Sequence, residues 1–308
     1  MRAEHIKYFV ALAENHSITK TSQDFFTTHQ SVSKAIRQLE DEMEAQLFTR
    51  SAKGMMLTPE GELFLPVARD TIDKFHTLRL QFAHMARQRD MEGTLNFWGS
   101  PVANAVTTQA LIKDFNTLYP KVRYNVSEAN PSDIMHYVSL HHAALGVVAI
   151  MHNDDYRTVY KPYIDQVHLD LLMQDEYMCV VGPRSPLADC KKVPIAEFIK
   201  QPLVMLQTGQ QKDDHPFTQL LRRMGNIEPS LTTPSYQLYS NSIIQGQYIG
   251  ITSRRFSALS PMTAENEIIR IPFEEDMTLD IMLATNAQPQ WDEISEAFVS
   301  LAREGAEI

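Results

Sequence analysis

The stretch Ser17–Met43, SITKTSQDFFTTHQSVSKAIRQLEDEM, predicts the fold of the first part of this chain. A serine at a helix start accepts a hydrogen bond from a free backbone N–H, so Ser17 is suited to begin a short helix. The pair Thr27–Thr28 predicts a turn. A second helix follows the turn, with apolar residues at the spacing of one helical face: Val32, Ile36, Leu39 and Met43. The stretch therefore predicts a helix, a tight turn and a helix.

The other side of the second helix carries side chains of medium reach that form hydrogen bonds: His29, Gln30, Ser33, Lys34 and Arg37. The acidic run Glu40–Glu42 begins only at the far end of the helix. A helix that reads DNA offers donors and acceptors to base edges from its first turns, and carboxylates must stay away from the groove. The pattern favours a recognition helix, although a polar face is also what any surface helix has.

A further helix and a hairpin flank this motif. Before it, apolar residues recur at helical spacing and stop near Asn15: Ile6, Phe9, Val10 and Ala13. After it, Leu47–Thr58 has two short apolar runs on either side of a cationic turn that contains Gly54. Such a hairpin suits a two-stranded wing that lies on the DNA backbone. Residues 1–60 are therefore predicted to form a winged helix-turn-helix, mainly α, that binds DNA.

A long linker helix is predicted next, over residues 61–92. Thr58 can cap it and Pro59 suits its first turn, and the helical pattern extends for about 48 Å at 1.5 Å per residue. Its apolar residues form a seam: Ala68, Ile72, Phe75, Leu78, Phe82 and Met85. A helix this long cannot bury such a seam within a small head, so the seam predicts a partner helix. Dimerisation through Ile72, Phe75, Leu78 and Phe82 is the favoured interpretation, and packing on its own chain is the alternative.

Five blocks in these ninety residues carry a resemblance to a known family: Tyr8–Ala11, Ser17–Lys20, Ser31–Glu40, Leu47–Arg50 and Leu57–Gly61. They resemble the LysR-type transcriptional regulators in both residues and spacing. The resemblance implies that four positions face bases, namely His29, Gln30, Ser33 and Lys34. It implies that three others, Thr28, Arg50 and Lys53, face the DNA backbone. Arg37 completes the predicted DNA-binding set through its place on the polar face.

This chain departs from the usual family pattern at several positions. His29 stands where glutamine is common, Gln30 where proline is common, and Lys34 where arginine is common. The pair Thr21–Ser22 stands where two alanines usually pack the helices. The departures leave the preferred operator sequence open and do not change the predicted fold.

From Gly93 onward, predicted strands alternate with predicted helices, which is typical of an α/β domain with a parallel, doubly wound sheet. Residues 93–308 are predicted to form two lobes around a cleft. The first lobe takes about 93–164 and 268–308, and the second takes about 165–267. The chain is expected to cross between the lobes near 161–168 and 262–270.

This part resembles the effector domain of the same family, which is similar to periplasmic solute-binding proteins. Ligands in such sheets collect at the carboxyl ends of strands, where helix N-termini present free N–H groups. The resemblance implies effector contacts at seven positions: Ser100, Val102, Ala129, Asn130, Gln207, Thr208 and Thr252. An anionic or polar small molecule is expected there. As the alternative, Ser100 and Asn130 could simply cap the helices that follow them.

The net charge of –10 is unevenly distributed. Residues 1–92 carry 12 lysines and arginines against 13 acidic residues, and the remainder carries 16 against 25. General coating of nucleic acid is therefore disfavoured, and contact with DNA is confined to a local face of the first part. No apolar run approaches the length of a membrane span, and the charged start is unlike a signal peptide, so we expect a cytoplasmic protein without a membrane partner.

Other chemistry finds little support in the sequence. His136 and His141 are five residues apart, which a helix does not bring together, and no metal site is expected. Cys179 lies in an apolar run, so a buried, inert thiol is favoured over a redox pair with Cys190. Motifs of hydrolases, P-loops and dinucleotide sites are absent, so neither catalysis nor a cofactor is predicted.

The leading hypothesis is a bacterial LysR-type transcriptional regulator that binds double-stranded promoter or operator DNA. It would act as a homodimer or homotetramer and respond to a small-molecule effector between the lobes, with RNA polymerase as a further candidate partner. Two rivals stay open here. One is a solute-binding protein or enzyme built on the two-lobed domain, and the other is a regulator that senses redox state through its cysteines. Effector identity, target genes and the sign of regulation are not determined by the sequence.

Overall fold

The structure is a computed structural model, and it describes residues 2–51, 54–87, 91–152, 160–206, 218, 221, 222, 225, 227–255 and 268–306. Two compact units divide the chain, the N-terminal unit Met1–Arg89 and the C-terminal unit Asp90–Ile308. The predictions for Lys53, Gln207 and Thr208 lie outside the described residues.

The N-terminal unit is a winged helix-turn-helix followed by a long helix, as predicted. Its elements are α1 (Ala3–Asn15), α2 (Ile18–Asp24), α3 (His29–Met43), β1 (Phe48–Ser51), β2 (Gly54–Leu57) and α4 (Pro59–Arg87). The Ser17 hydroxyl oxygen accepts a hydrogen bond from Lys20 N at 3.3 Å and so caps α2. The Thr28 hydroxyl oxygen caps α3 in the same way, accepting from Ser31 N at 3.1 Å. Each capping bond stabilises its own helix at the N-terminus.

One apolar core joins these elements. Four side chains on α1 and α3 have no exposed surface: Phe9, Leu12, Val32 and Leu39. The Phe9 ring also contacts the rings of Phe48 and Phe64, with centroids 5.2 and 4.9 Å apart. Phe48 belongs to the wing and Phe64 to α4, so the same core positions both of them against α1.

Thr21 and Ser22, which replace the small residues usual in the family, are buried in α2. The Thr21 hydroxyl donates to Ser17 O at 2.9 Å, and the Ser22 hydroxyl donates to Thr19 O at 2.8 Å. Their own helix therefore satisfies both buried hydroxyls, which removes most of the cost of burying a polar group.

The wing is held against the end of α1 by two hydrogen bonds. Met55 N donates to His16 O at 2.9 Å, and His16 Nδ1 lies 3.1 Å from Met55 O. Gly54 permits this contact because its φ is +105° and a Cβ there would lie 2.3 Å from His16 O. A larger residue at this position would move the wing away from α1.

The C-terminal unit contains strands β3 (Glu92–Gly99), β4 (Lys121–Glu128), β5 (Leu145–Met151), β6 (Val167–Val181), β7 (Val204–Leu206), β8 (Leu231–Thr233), β9 (Gly250–Ser253), β10 (Ile269–Pro272) and β11 (Thr278–Asn286). Its described helices are α5 (Pro101–Ala103), a π-helical segment (Asn104–Thr108), α6 (Gln109–Leu118), α7 (Pro131–Ser139), α8 (Lys161–Ile164), α9 (Ile195–Phe198), α10 (Tyr236–Ile244) and α11 (Glu293–Ala306). The predicted alternation of strands and helices is confirmed.

The main sheet is mixed, and the expectation of a parallel sheet is correct only for part of it. Its order is β10-β6-β11-β5-β3-β4, with β9 also paired to β6. Strand β3 runs parallel to both β4 and β5, which are connected to it through helices. Strand β11 runs antiparallel to β5 and β6, because it enters the sheet on its return from the second lobe rather than from a helical crossover.

A single strand, β6, belongs to both lobes. Its first part pairs with β11 as far as Glu176, and its last part pairs with β9 and β10 from Tyr177 onward. The return crossing lies between Pro272 and Thr278. Both crossings therefore come later in the chain than the predicted 161–168 and 262–270, because the first is made inside a continuous strand that sequence patterning assigned to one lobe.

Glu40 has a structural role that its place in an acidic run did not indicate. One carboxylate oxygen, Oε1, accepts hydrogen bonds from the backbone N–H groups of Leu47 and Phe48, at 2.9 and 3.2 Å. The side chain thereby joins α3 to the first strand of the wing.

We expect Glu40→Ala to destabilise the N-terminal unit by about 1–3 kcal/mol, because two partly buried donors lose a charged acceptor. Hydrogen exchange measured on the full chain should accelerate at Leu47 and Phe48. Asp41→Ala removes the neighbouring exposed carboxylate and should leave this exchange unchanged. Equal protection of Leu47 and Phe48 in Glu40→Ala and the unmodified chain would contradict this role.

Candidate DNA-binding face and effector cleft

Five predicted DNA-binding residues lie together on one side of α3. They line an open surface cavity of about 480 Å³ and form what we call the recognition face: His29, Gln30, Ser33, Lys34 and Arg37. Ser33 is half-buried and the other four are exposed. The face thus carries two cations together with neutral hydrogen-bonding groups, which is the chemistry that reads base edges.

The predicted backbone contacts lie beside this face in the sequence. Arg50 is exposed on β1, and Thr28 is exposed at the N-cap of α3. The Thr28 hydroxyl is engaged at 2.9 Å with the Ser31 hydroxyl as well as with Ser31 N. Thr28 therefore shapes the first turn of the recognition helix, whatever it contacts on DNA.

The apolar seam of α4 divides into two parts. Ala68 is buried in the N-terminal unit, and Ile72 is half-buried against the same core. Beyond them, Phe75, Leu78 and Phe82 expose 59%, 43% and 62% of their surface. Exposed aromatic and aliphatic side chains at helical spacing are typical of an interface that a partner covers.

Sequence reasoning missed two further exposed residues on α4. Leu63 and Val67 expose 76% and 56% of their surface. Their four-residue spacing places them on one side of the helix. This spacing was the available signal in the sequence.

The C-terminal unit contains a cleft of about 600 Å³. Apolar and aromatic side chains predominate in its lining, together with a few polar groups: Pro101, Val102, Asn104, Ala105, Thr108, Gln109, Ile112, Val126, Glu128, Tyr177, Met205, Leu206, Pro234, Tyr236, Tyr239, Ile251, Thr252 and Ser253. Small-molecule sites commonly have this size and composition. Of the predicted effector residues, the structure brings together Val102 and Thr252 in this lining.

Ser100 has another set of contacts. It is buried, its hydroxyl oxygen accepts a hydrogen bond from Ala149 N at 3.0 Å, and its own N–H donates to Val147 O at 2.9 Å. Neither Ser100 nor Asn130 caps the following helix through its side chain. The described cleft lining does not include Ser100, Ala129 or Asn130. Ser100 thus links β3 to β5 at the edge where the cleft begins.

A small polar network at this edge involves residues that sequence reasoning missed. Asn104 Nδ2 donates to Glu128 Oε1 and to Gly99 O, both at 3.3 Å, and Thr108 Oγ1 donates to Asn104 Oδ1 at 3.0 Å. A Cβ on Gly99 would lie only 1.8 Å from Asn104 Oδ1, so a larger residue at this position would displace the Asn104 amide. Asn104 and Thr108 bound the π-helical segment that interrupts the predicted helix, and such segments are frequent at functional sites.

Three tyrosines contribute aromatic surface to the cleft. The rings of Tyr236 and Tyr239 are stacked with centroids 6.1 Å apart. The Tyr239 hydroxyl donates to Ile251 O at 2.6 Å, which fixes its ring against β9. Burial raises the pKa of both Tyr177 and Tyr239 above the ordinary tyrosine value, so both phenols are neutral near pH 7.

Asp175 is a buried carboxylate close to the point where β6 stops pairing with β11 and begins to pair with β9. Its two oxygens accept from Glu176 N at 2.8 Å and from Arg255 N at 3.3 Å. Burial raises the pKa of Asp175, and a hydrogen bond from Ser253 acts in the opposite direction. Arg254 and Glu176 form an ion pair at the same place. Charged groups therefore join β6 to the end of β9.

The structure also bears on the other chemistry considered from sequence. Cys179 is buried, and burial raises the pKa of its thiol to about 12, which leaves it unreactive. Within the described ranges, no cluster of three histidine, cysteine or carboxylate side chains is suited to hold a metal ion. The helices described above include none that is long and apolar enough to span a membrane.

A winged helix-turn-helix with an exposed polar recognition face, in a chain that also contains an α/β unit with a small-molecule cleft, defines a ligand-responsive DNA-binding regulator. Residues 3–62 match the family model "Bacterial regulatory helix-turn-helix protein, lysR family", and residues 88–307 match "LysR substrate binding domain". The chain belongs to the LysR family of DNA-binding transcriptional regulators.

Two relatives from Bacillus subtilis (strain 168) illustrate the similarity. The uncharacterized HTH-type transcriptional regulator YvbU is 24% identical and is covered over 100% of both chains. The HTH-type transcriptional regulator CysL is 23% identical over 81% of this chain and 79% of its own.

Solved structures agree on the fold. HinK, a LysR family transcriptional regulator from Pseudomonas aeruginosa, has a TM-score of 0.52 and 18% identity over 99% of this chain and 98% of its own. Full-length BenM has a TM-score of 0.55 and 17% identity over 100% and 96%.

The contacts of Ser100 generate a stability prediction. Ser100→Ala removes the acceptor of the buried Ala149 N–H and should destabilise the C-terminal unit by about 1–3 kcal/mol. Thermal or urea unfolding of the full chain would measure the loss. Ser300→Ala removes an exposed hydroxyl from α11 and should change stability by no more than about 0.5 kcal/mol. If the two variants unfold alike, the bond between Ser100 and Ala149 N contributes nothing measurable.

Proposed function

We propose that this chain controls transcription by binding operator DNA with the recognition face and the wing. The observation that carries the proposal is the exposed recognition face on α3, which presents Lys34 and Arg37 beside neutral hydrogen-bonding groups. His29, Gln30, Ser33 and Lys34 would contact bases. Arg50 and Lys53 would contact phosphates, and Thr28 would hold the helix start in place.

Contacts with bases and contacts with phosphates differ in how the binding free energy depends on DNA sequence and on salt. A base contact distinguishes one sequence from another, whereas a phosphate contact strengthens binding to every sequence and depends on salt. Net charge supports local contact, because the chain as a whole carries –10 and would be repelled by DNA away from this face.

Genome-wide footprinting of bound DNA identifies the operator, and variants then test the face. Lys34→Ala should cost about 1–3 kcal/mol on the operator and little on random DNA. Arg50→Ala is the matched comparison, and it should weaken both DNAs similarly and lower the salt dependence. Titrations at several salt concentrations measure both effects. An equal loss on operator and random DNA for Lys34→Ala would exclude base reading by that residue.

We propose further that α4 joins two copies of the chain into a homodimer, which can assemble into a tetramer. Phe75, Leu78 and Phe82 are exposed in the single chain and would be covered by a partner helix. Ile72 lies where the seam leaves the core of its own unit. Association would bring two recognition helices to one duplex, which doubles the contacts with DNA.

Phe75→Glu combined with Phe82→Glu should reduce the assembly state, because glutamates in a covered apolar seam would lose their hydration. Sedimentation of the full chain measures the change. Lys74→Glu is a control with the same change in net charge at an exposed position of the helix. An unchanged sedimentation coefficient in the double variant would mean that the exposed part of the seam is not an interface.

The C-terminal unit would control DNA binding in response to an effector. We propose that a small molecule binds in the cleft, where Val102 and Thr252 lie, and that it changes the affinity or geometry of DNA binding. Ser100, Ala129 and Asn130 would support the residues that line the cleft without contacting the effector themselves. Gln207 and Thr208 remain predicted contacts. The proposal assigns no catalytic activity and no permanently bound cofactor. It places the protein in the cytoplasm with its DNA, where RNA polymerase is a further candidate partner.

A further inference from the structure

The charge of the cleft indicates which class of effector it accepts. We propose that the cleft takes a small organic cation, an amine with an apolar or aromatic body, whose ammonium group is held by Glu128. This inference rests on the proposed role of the cleft as the effector site. It replaces the anionic or polar ligand that the expected helix N-terminus at Ser100 predicted from the sequence.

Glu128 is the one charged residue among the described residues that line the cleft. Its side chain is exposed, and its Oε1 atom accepts a hydrogen bond from Asn104 Nδ2. A carboxylate has about four acceptor positions on its two oxygens, so acceptor capacity remains for the N–H donors of an ammonium group. The bond from Asn104 orients the carboxylate without adding a positive charge.

Several groups that would favour an anion are engaged or missing at this edge. The first residue of the helix after β3 is Pro101, which has no N–H, so one of the donors of the helix start is missing. The N–H of Ser100 donates to Val147 O, and its hydroxyl oxygen accepts from Ala149 N. A carboxylate ligand placed here would also be repelled by Glu128. The described part of the lining therefore favours a positive charge over a negative one.

The remaining lining fits the body of such a cation. Ile112, Val126 and Ile251 supply aliphatic surface, and the stacked rings of Tyr236 and Tyr239 supply aromatic faces. Aromatic faces attract cations as well as apolar groups. A volume of about 600 Å³ accommodates a small-molecule ligand.

The test compares ligands that share one skeleton and differ in charge. Binding of 2-phenylethylamine, 2-phenylethanol and phenylacetate to the full chain is measured by calorimetry and thermal shift. Hexylamine, hexanol and hexanoate form a second, aliphatic series. We expect the amine to bind best in each series and the carboxylate to bind worst.

Glu128→Gln keeps an acceptor for Asn104 and removes the charge. It should weaken amine binding about tenfold and leave binding of the alcohol unchanged. Glu296→Gln, at an exposed position of α11, is the matched control and should change neither. Val102→Trp fills the cleft and should abolish binding of every compound.

Three results would overturn the proposal. The first is tighter binding of the carboxylates than of the amines. The second is amine binding that Glu128→Gln does not change, and the third is no binding by any amine. Operator binding is measured in the same samples, so that failure of the proposed ligand class can be distinguished from failure of the proposed regulator function. Carboxylate binding that Val102→Trp abolishes and that alters operator affinity would leave the effector role standing and reject only the ligand class. Failure of the unmodified chain to bind any footprinted DNA would reject the regulator function instead.

Discussion

Burial of the apolar face of α3 is the interaction on which the proposed contact with DNA depends. Val32 and Leu39 are fully buried, and each contributes about 1.5–3 kcal/mol. An amphipathic helix buries its apolar face and leaves its polar face in solvent, so this packing leaves Lys34 and Arg37 exposed. No single exposed charge contributes as much to stability. The core therefore fixes the orientation of the recognition face, whose polar residues are free to vary with the operator.

In the C-terminal unit the corresponding constraint is that β6 pairs with β11 in its first part and with β9 and β10 in its last part. Because β6 is continuous, the strands that pair with its first part and those that pair with its last part are joined by regular strand structure rather than by a loop. The residues around the crossing include the Asp175 carboxylate, which accepts a hydrogen bond from Arg255 N just after β9, and the Tyr177 ring, which lines the cleft. The cleft lining and the crossing between the lobes thus share one segment of chain.

Much of this architecture could be predicted from local patterns, and the effector site could not. Helix caps, the helix-turn-helix and most strands follow from neighbouring residues in the chain, as Ser17 and Thr28 illustrate. Ser100 was placed in the site by its position after a strand, yet its hydroxyl bonds a backbone N–H on β5. Glu128 was not singled out, because nothing near it in the sequence shows that Asn104 lies within hydrogen-bond distance.

The sequence by itself determined the class of protein, since the spacing of apolar residues, the capping residues and the polar face of α3 all act within a few residues of one another. Tertiary structure alone decided three other matters. These are the antiparallel place of β11, the crossing inside β6, and the carboxylate at the cleft. Each of them depends on contacts between segments far apart in the chain, and local patterns carry no information on which distant segments will meet.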